Sequence, residues 1–414
     1  MLALPLSAAL PRFILLYAAL YAAFGVASPF LPAFLQSKGL TPEQIGVVLA
    51  AATGVRLITG PCAGRLADRL AAPRAVLAAC TALSAVAVVL FLPAAGFVML
   101  LAVSLLHAAA LAPTTTTADA LALGAAARHD GFEYGWVRGA GSAAFIAGSI
   151  AAAQAIAALG MAVIICLQAA LLAAAAGCVV LVPDQTSKPQ RGPPHDARAP
   201  GIAALLALPE FRRVVLIAAL VLGSHAMHDA FAIIRWSAAG IGPATASLLW
   251  SEAVAAEVAV FLFVGPWLIH RLGPAGAMVL AAGAGAVRWS VLAVTADIVA
   301  LALVQPLHGL TFALLHLGCM RVLARVVPAG LAATAQSLYG TIGIGAATAI
   351  LTLVSGELYG RFGPAGFWAM AALCILALPL PLTLRGGRAG EQAGGERNNA
   401  LFTIPSNAGT LRDR

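Results

Sequence analysis

Charge is what this sequence has least of. Asp, Glu, Lys and Arg together make up 10% of its 414 residues, and lysine occurs only at positions 38 and 188; a soluble domain carries about 25% charged residues. With 61% hydrophobic residues, there is too little polar side chain to wrap a water-soluble globule. That excludes a cytosolic enzyme, a secreted disulfide scaffold and a disordered chain. Cysteine is also sparse. Cys62, Cys80, Cys166, Cys178, Cys319 and Cys374 form no CxxC pair and have no histidine at metal-ligand spacing, so they read as small packing residues. No GxxxxGK[ST] loop, GxSxG elbow, HExxH helix or paired-carboxylate constellation is present. ATP drive and membrane hydrolysis are therefore excluded, and neither a cofactor nor a metal is implied.

The abundant residues fall in apolar blocks of roughly 20, the length that crosses a hydrocarbon core of about 30 Å as a helix. The alternation of an outer-membrane barrel is missing, so the chain reads as an all-α membrane protein. Twelve transmembrane helices are expected, over 13–35, 44–63, 75–92, 97–122, 136–158, 161–182, 212–234, 244–268, 275–295, 298–320, 331–355 and 364–384. The first block lacks a cleavage site and is not expected to be a signal peptide. The net charge of +8 is scattered through short loops, which points to membrane orientation rather than nucleic-acid binding. With twelve spans, nearly all loop arginines fall on one side, while Lys38 and Arg361 fall on the other. Both termini are then expected in the cytoplasm of a bacterial inner membrane.

The one long polar gap before the tail, DQTSKPQRGPPHDARAP, divides the chain. We expect a first six-helix half (1–183), a cytoplasmic central loop (184–210), a second six-helix half (211–384) and a disordered cytoplasmic tail (385–414). The halves echo each other. GLTP (39–42) and GIGP (240–243) precede the second and eighth spans, and GPCAGRLADRL (60–70) and GPWLIHRLG (265–273) end them. Two pseudo-symmetric halves are a recurrent transporter plan, with substrate bound between them at mid-membrane.

Ionisable groups inside a span cost at least ~2.5 kcal/mol each on insertion scales, so each is a candidate for function. Arg56 lies 12 residues before Asp68, roughly 18 Å into the membrane, and is expected to hold an anion or pair with a carboxylate. Asp119 follows PTTTT, and Arg138 opens a stripe with Ser142, Phe145 and Ser149; an Asp119–Arg138 pair serves either binding or a structural bridge. His225, His228 and Asp229 share a face of the seventh span and suit proton relay better than metal binding. Glu257 has Ala, Val and Phe neighbours that make its charge costly, so it is the preferred coupling carboxylate unless Arg288 neutralises it. In the tenth span Gln305, His308, Phe312 and His316 fall within roughly 80° of arc, and in the first Tyr17, Tyr21, Phe24 and Ser28 within about 60°. Two such stripes facing a cavity would suit a substrate with a ring. Gln336 and Tyr339 in the eleventh span are placed to add hydrogen bonds.

The string GRLADRLAAPR (64–74) resembles the loop motif G-x-x-x-D-R-x-x-x-x-R of the major facilitator superfamily. That resemblance implies gating roles for Gly64, Asp68 and Arg69. FGVASPFLPAFLQSKGLTPEQIGVVL (24–49), FEYGWVRGAGSAAFIAGS (132–149) and LHGLTFALLHLGCMRVL (307–323) look like the phenylpropionate permease group and, more distantly, the lactose permease type of sugar/proton symporter. The latter resemblance implies sugar-type binding positions at Asp119 and Arg138, and a coupling set at Glu257, Arg288 and His308. The proton-carrying Glu three residues beyond that His is here Thr311.

The expectation is a secondary active transporter with a small-molecule substrate, protons and the lipid bilayer as partners, working as a monomer. Substrate-binding residues are expected among Tyr21, Phe24, Arg56, Asp119, Arg138, Arg288, His308, Phe312 and Gln336. Proton-coupling residues are expected among Asp119, His225, Asp229, Glu257 and His308. A small aromatic carboxylate is the favoured solute; sugar or nucleoside symport and drug or metabolite efflux are the alternatives.

Overall fold

The computed structural model describes residues 9–128, 132–183 and 202–384. The tail, and the central loop up to residue 201, lie outside the described residues. The described remainder of that loop holds a short helix, Ile202–Ala207, and the start of the seventh span.

Among the described residues, nine helical runs are long and apolar enough to cross a membrane. Two of them, Pro243–Val294 and Ala332–Leu384, have 52 and 53 residues. At 1.5 Å per residue each would be nearly 80 Å long, far more than one crossing needs. Gly273 at φ 68° and Gly363 at φ 56° break each into an antiparallel pair. With the shorter apolar helix Pro73–Val89, the chain crosses twelve times, as the sequence predicts. Spans 1 to 6 are 10–37, Pro42–Leu70, Pro73–Val89, Phe97–Ala126, Tyr134–Leu159 and Val163–Leu181. Spans 7 to 12 are Pro209–Ala238, 243–272, 274–294, Ile298–Val326, 332–362 and 367–384.

The crossings alternate, so the turns form two sets. One end of the bundle collects Arg65, Arg69, Arg74, Arg325 and their neighbours; the opposite end holds Lys38 and Arg361. Along the flanks large apolar side chains face outward, among them Val98 at 76% exposure and Leu303 at 73%. In water such a belt would be a defect; in lipid it is the solvent-matched surface.

The internal repeat has a conformational counterpart. Gly39 and Gly240 both adopt positive φ, 89° and 83°, which L side chains rarely tolerate. Each is followed three residues later by a proline at the start of a helix, where its missing N–H costs nothing. In the first copy Thr41 and Gln44 complete a reciprocal cap: Gln44 N–H donates to Thr41 Oγ1 at 3.4 Å and Thr41 N–H to Gln44 Oε1 at 3.1 Å.

Helix packing in lipid depends on small residues that let backbones approach. Spans 1 and 5 form the closest such pair: a methyl at Gly148 would lie 2.5 Å from the Ala22 carbonyl oxygen, and one at Gly25 would meet the Phe145 backbone. Gly148→Ala is therefore expected to cost about 1–3 kcal/mol of stability through overpacking. The check is thermal unfolding in detergent beside Gly177→Ala, where a methyl meets nothing within 4 Å. Equal melting of the two variants would count against the close span 1–span 5 approach.

Across the halves, spans 2 and 11 meet at the Lys38/Arg361 end. There a methyl on Gly46 would sit 2.8 Å from the Gly356 Cα. Nothing bulkier than hydrogen fits between those two backbones.

Candidate functional site

Three polar assemblies lie inside the bundle. The first is near the arginine-rich end. Asp119 Oδ1 accepts from Tyr17 Oη at 2.5 Å and Tyr134 Oη at 2.9 Å, and forms an ion pair with Arg138 at 3.7 Å. Arg138 also donates to Tyr21 Oη, and its guanidinium lies 5.2 Å from the Tyr21 ring centre. Three of the chain's five tyrosines thus converge on one ion pair. Two phenol donors and a guanidinium thus converge on one oxygen of the carboxylate. Arg138 is 46% exposed, so the cluster is not sealed in the helix packing.

The second assembly is centred on Arg288, which is 0% exposed. Its Nη1 donates to His308 Nδ1 at 3.1 Å, and its Nη2 donates to Gln305 Oε1 at 3.0 Å and, more weakly, to His228 Nε2 at 3.4 Å. Arginine has donors only and keeps its proton, so both imidazole nitrogens facing it must be acceptors. The remaining ring protons then point outward. His308 Nε2–H donates to Glu257 Oε2 at 3.2 Å, and His228 Nδ1–H to Asp229 Oδ1 at 3.3 Å. A buried guanidinium is thereby linked to two carboxylates, each through one neutral imidazole. Burial of one charge without compensation would be prohibitive; the relayed arrangement supplies it at one remove. Trp289 lies under the guanidinium, 4.6 Å from ring centre to Cζ. His225 sits beside this group, its Nε2 2.9 Å from Thr311 Oγ1.

The third is a cavity of about 540 Å³ between the halves, within the usual range for small-molecule sites. Its first-half wall carries Arg56, Ser104, His107 and Gln168, and its second-half wall His228, Asp229 and His308. Phe24, Phe91, Phe145, Trp250 and Phe312 form much of the rest. Arg56 is 14 residues from either end of span 2, roughly 21 Å from each. Among the described residues it has no hydrogen bond or ion pair, although its charge acts on His107. Beside it, His107 Nδ1–H donates to the Ser84 carbonyl at 3.2 Å, which leaves Nε2 to accept from Gln168 Nε2 at 3.4 Å. Gln168 Oε1 and Ser104 Oγ remain without partners among the described residues.

The sequence profile of the MFS_1 like family matches residues 11–370. The chain belongs to that family. This MFS transporter is 31% identical over 366 residues to the "Probable 3-phenylpropionic acid transporter" of Escherichia coli (strain K12), covering 87% of this chain and 94% of the relative. It is 26% identical over 388 residues to the "Maltose permease" of Geobacillus stearothermophilus, covering 93% and 96%. Among solved structures, the nucleoside transporter NupG superposes with a TM-score of 0.76 at 17% identity, covering 91% of this chain and 98% of that one. At that identity the likeness is one of fold. These relatives are transporters rather than enzymes.

Within this MFS transporter the expected site residues are distributed over all three assemblies. Phe24, Arg56, Asp229, His308 and Phe312 line the cavity. Tyr21, Asp119 and Arg138 stand outside its wall, in the tyrosine cluster. Arg288, Glu257 and His225 do not line it and belong to the Arg288 group. Gln336 is exposed in span 11 and does not line the cavity. Gly64, Asp68 and Arg69 end span 2 at the arginine-rich end. Asp68 and Arg69 are exposed and make no ion pair among the described residues.

In span 10, Gln305 and His308 both accept from Arg288, and His308 and Phe312 line the cavity. His316 meets Tyr339 at 3.3 Å and does not line the cavity. It lies beyond a π segment, Leu310–Leu314, whose wider turn rotates everything past it away from the 100° spacing of an α-helix. Sequence reasoning also missed His107, Gln168, Trp250 and the buried Arg235, whose Nη2 donates to the Thr295 carbonyl at 2.6 Å. An intramembrane His (107) and a Gln (168) in otherwise apolar spans were the available signal.

Proposed function

We propose that the protein imports small aromatic carboxylates by proton-coupled alternating access of its two six-helix halves. One observation carries this reading. Arg56 stands at mid-membrane without a partner among the described residues and faces a cavity walled by aromatic rings. A fixed cation at that depth is costly, and a carboxylate arriving with the substrate neutralises it through charge-assisted hydrogen bonds. Phe24, Phe145, Phe312 and Trp250 offer faces and edges to the ring. The relative described as a phenylpropionic acid transporter supports the same class.

The arginine-rich loops favour a cytoplasmic position for that end and for both termini, in a bacterial inner membrane. The Gly46–Gly356 contact then seals the outer end, and the tyrosine cluster lies near the inner one. Gly64, Asp68 and Arg69 belong to the inner gate, idle in this inward-open form. Glu257 carries the coupled proton, with His308 as its hydrogen-bond partner. Nothing in this scheme requires more than one copy of the chain.

Sugar symport is the second reading, favoured by the similarity to a maltose permease. Counterflow in proteoliposomes separates the two. Vesicles preloaded with unlabelled 3-phenylpropionate are expected to concentrate the labelled compound transiently, whereas maltose and uridine give no overshoot. An overshoot with maltose alone would overturn the carboxylate reading.

A further inference from the structure

The cavity holds a second, only partly satisfied charge, of opposite sign and on the opposite wall. Asp229 in span 7 has its side chain 56% exposed, and it lines the same cavity as Arg56. Its exposure is to that cavity rather than to lipid. Of its two oxygens only Oδ1 has a hydrogen bond among the described residues, the long one from its neighbour His228. Oδ2 is left facing the cavity. Asp229 and Arg56 stand on opposite halves and form no ion pair with each other.

An ionised carboxylate in this position can only accept hydrogen bonds. When the halves close around a solute, water leaves, and an ionised group with no donor before it is strongly disfavoured. A plain phenyl ring supplies no donor. We infer that the preferred substrate is ditopic: an aromatic carboxylate whose acid group meets Arg56 and whose far end carries a hydrogen-bond donor, a hydroxyl or an ammonium, that meets Asp229. This rests on the carboxylate reading above and narrows it. The aromatic ring would span the cavity between the two charges, with Trp250 and Phe312 on the Asp229 side. A site that hydrogen-bonds a substrate group discriminates steeply against analogues lacking it.

The test is a binding series on purified, reconstituted full-length protein, by calorimetry. The ligands are 3-phenylpropionate and its para-methyl, para-hydroxyl and para-aminomethyl derivatives. The wild type is expected to bind the hydroxyl or the aminomethyl compound at least roughly tenfold more tightly than the phenyl and methyl compounds. Whichever of the two leads identifies the donor as neutral or cationic. In Asp229→Ala, and in the isosteric Asp229→Asn for the ammonium compound, that preference is expected to vanish. A single symmetric gel-filtration peak and a wild-type melting temperature in detergent show that the variants fold.

A flat wild-type series, or a preference that survives Asp229→Ala, would overturn the inference. So would restoration of an impaired Asp229→Asn by adding Arg56→Gln, since that would make the two charges partners of each other. If all four compounds bind equally and Arg56→Gln weakens all of them, only the donor inference falls. If none binds, or if Arg56→Gln leaves the series unchanged, the carboxylate reading falls with it.

Discussion

Arg56→Ala is expected to abolish carboxylate uptake while the protein still inserts and purifies normally. Arg56 makes no hydrogen bond or ion pair among the described residues, so its removal breaks no structural bridge and relieves a desolvation cost. What is lost is the anchor. Truncating one member of a desolvated, hydrogen-bonded charge pair costs about 2–5 kcal/mol, or roughly 30- to 5000-fold in affinity. Arg56→Lys should fall between, because an ammonium keeps the charge but not the planar two-pronged geometry. Uptake of labelled 3-phenylpropionate into proteoliposomes, normalised to reconstituted protein, measures both. Wild-type uptake by Arg56→Ala would end the assignment of this residue as the anion site.

Glu257→Gln should have the second large effect, and of a different kind. His308 Nε2–H donates to Glu257 Oε2, and a glutamine carbonyl oxygen of the same shape still accepts that bond, without the charge. The geometry around Arg288 and His308 is thus retained, but the side chain can no longer take up or release a proton. Accumulation driven by a pH gradient is expected to fall to the equilibrium ratio, while exchange of labelled for unlabelled substrate across the same vesicles persists. Undiminished accumulation would remove Glu257 from the coupling role. Loss of exchange as well would place it in substrate binding instead.

The fold was almost wholly legible in the sequence, because the bilayer imposes one period and one length on every span. Even the internal repeat could be read, since Gly39 and Gly240 need the same rare backbone conformation. The intramembrane charges were legible as outliers for the same reason. Their partners were not. Arg288 meets His228 and His308 from spans 7 and 10, contacts separated by 60 and 20 residues that no helical spacing can reveal. Asp119 was expected beside Arg138, and it is, but its phenol donors come from Tyr17 and Tyr134. A tyrosine in a span reads as readily as core packing. In span 10 the expected spacing presumed a uniform α-helix, and the π segment Leu310–Leu314 sets His316 off it.

That irregularity recurs. Val260–Val264, Leu310–Leu314 and Tyr339–Ala346 are all π segments, in spans 8, 10 and 11; none occurs among the described residues of the first half. A π segment is an α-helix holding one residue more than its turn requires. Passing that residue along the helix advances the chain by about 1.5 Å and turns the side chains beyond it by about 100°. Glu257 stands just before one segment, His308 just before another, and Phe312 inside the latter. The half that holds Glu257 thus carries three helices wound with a surplus residue, two of them right beside Glu257 and His308, and the described part of the half that holds Arg56 carries none.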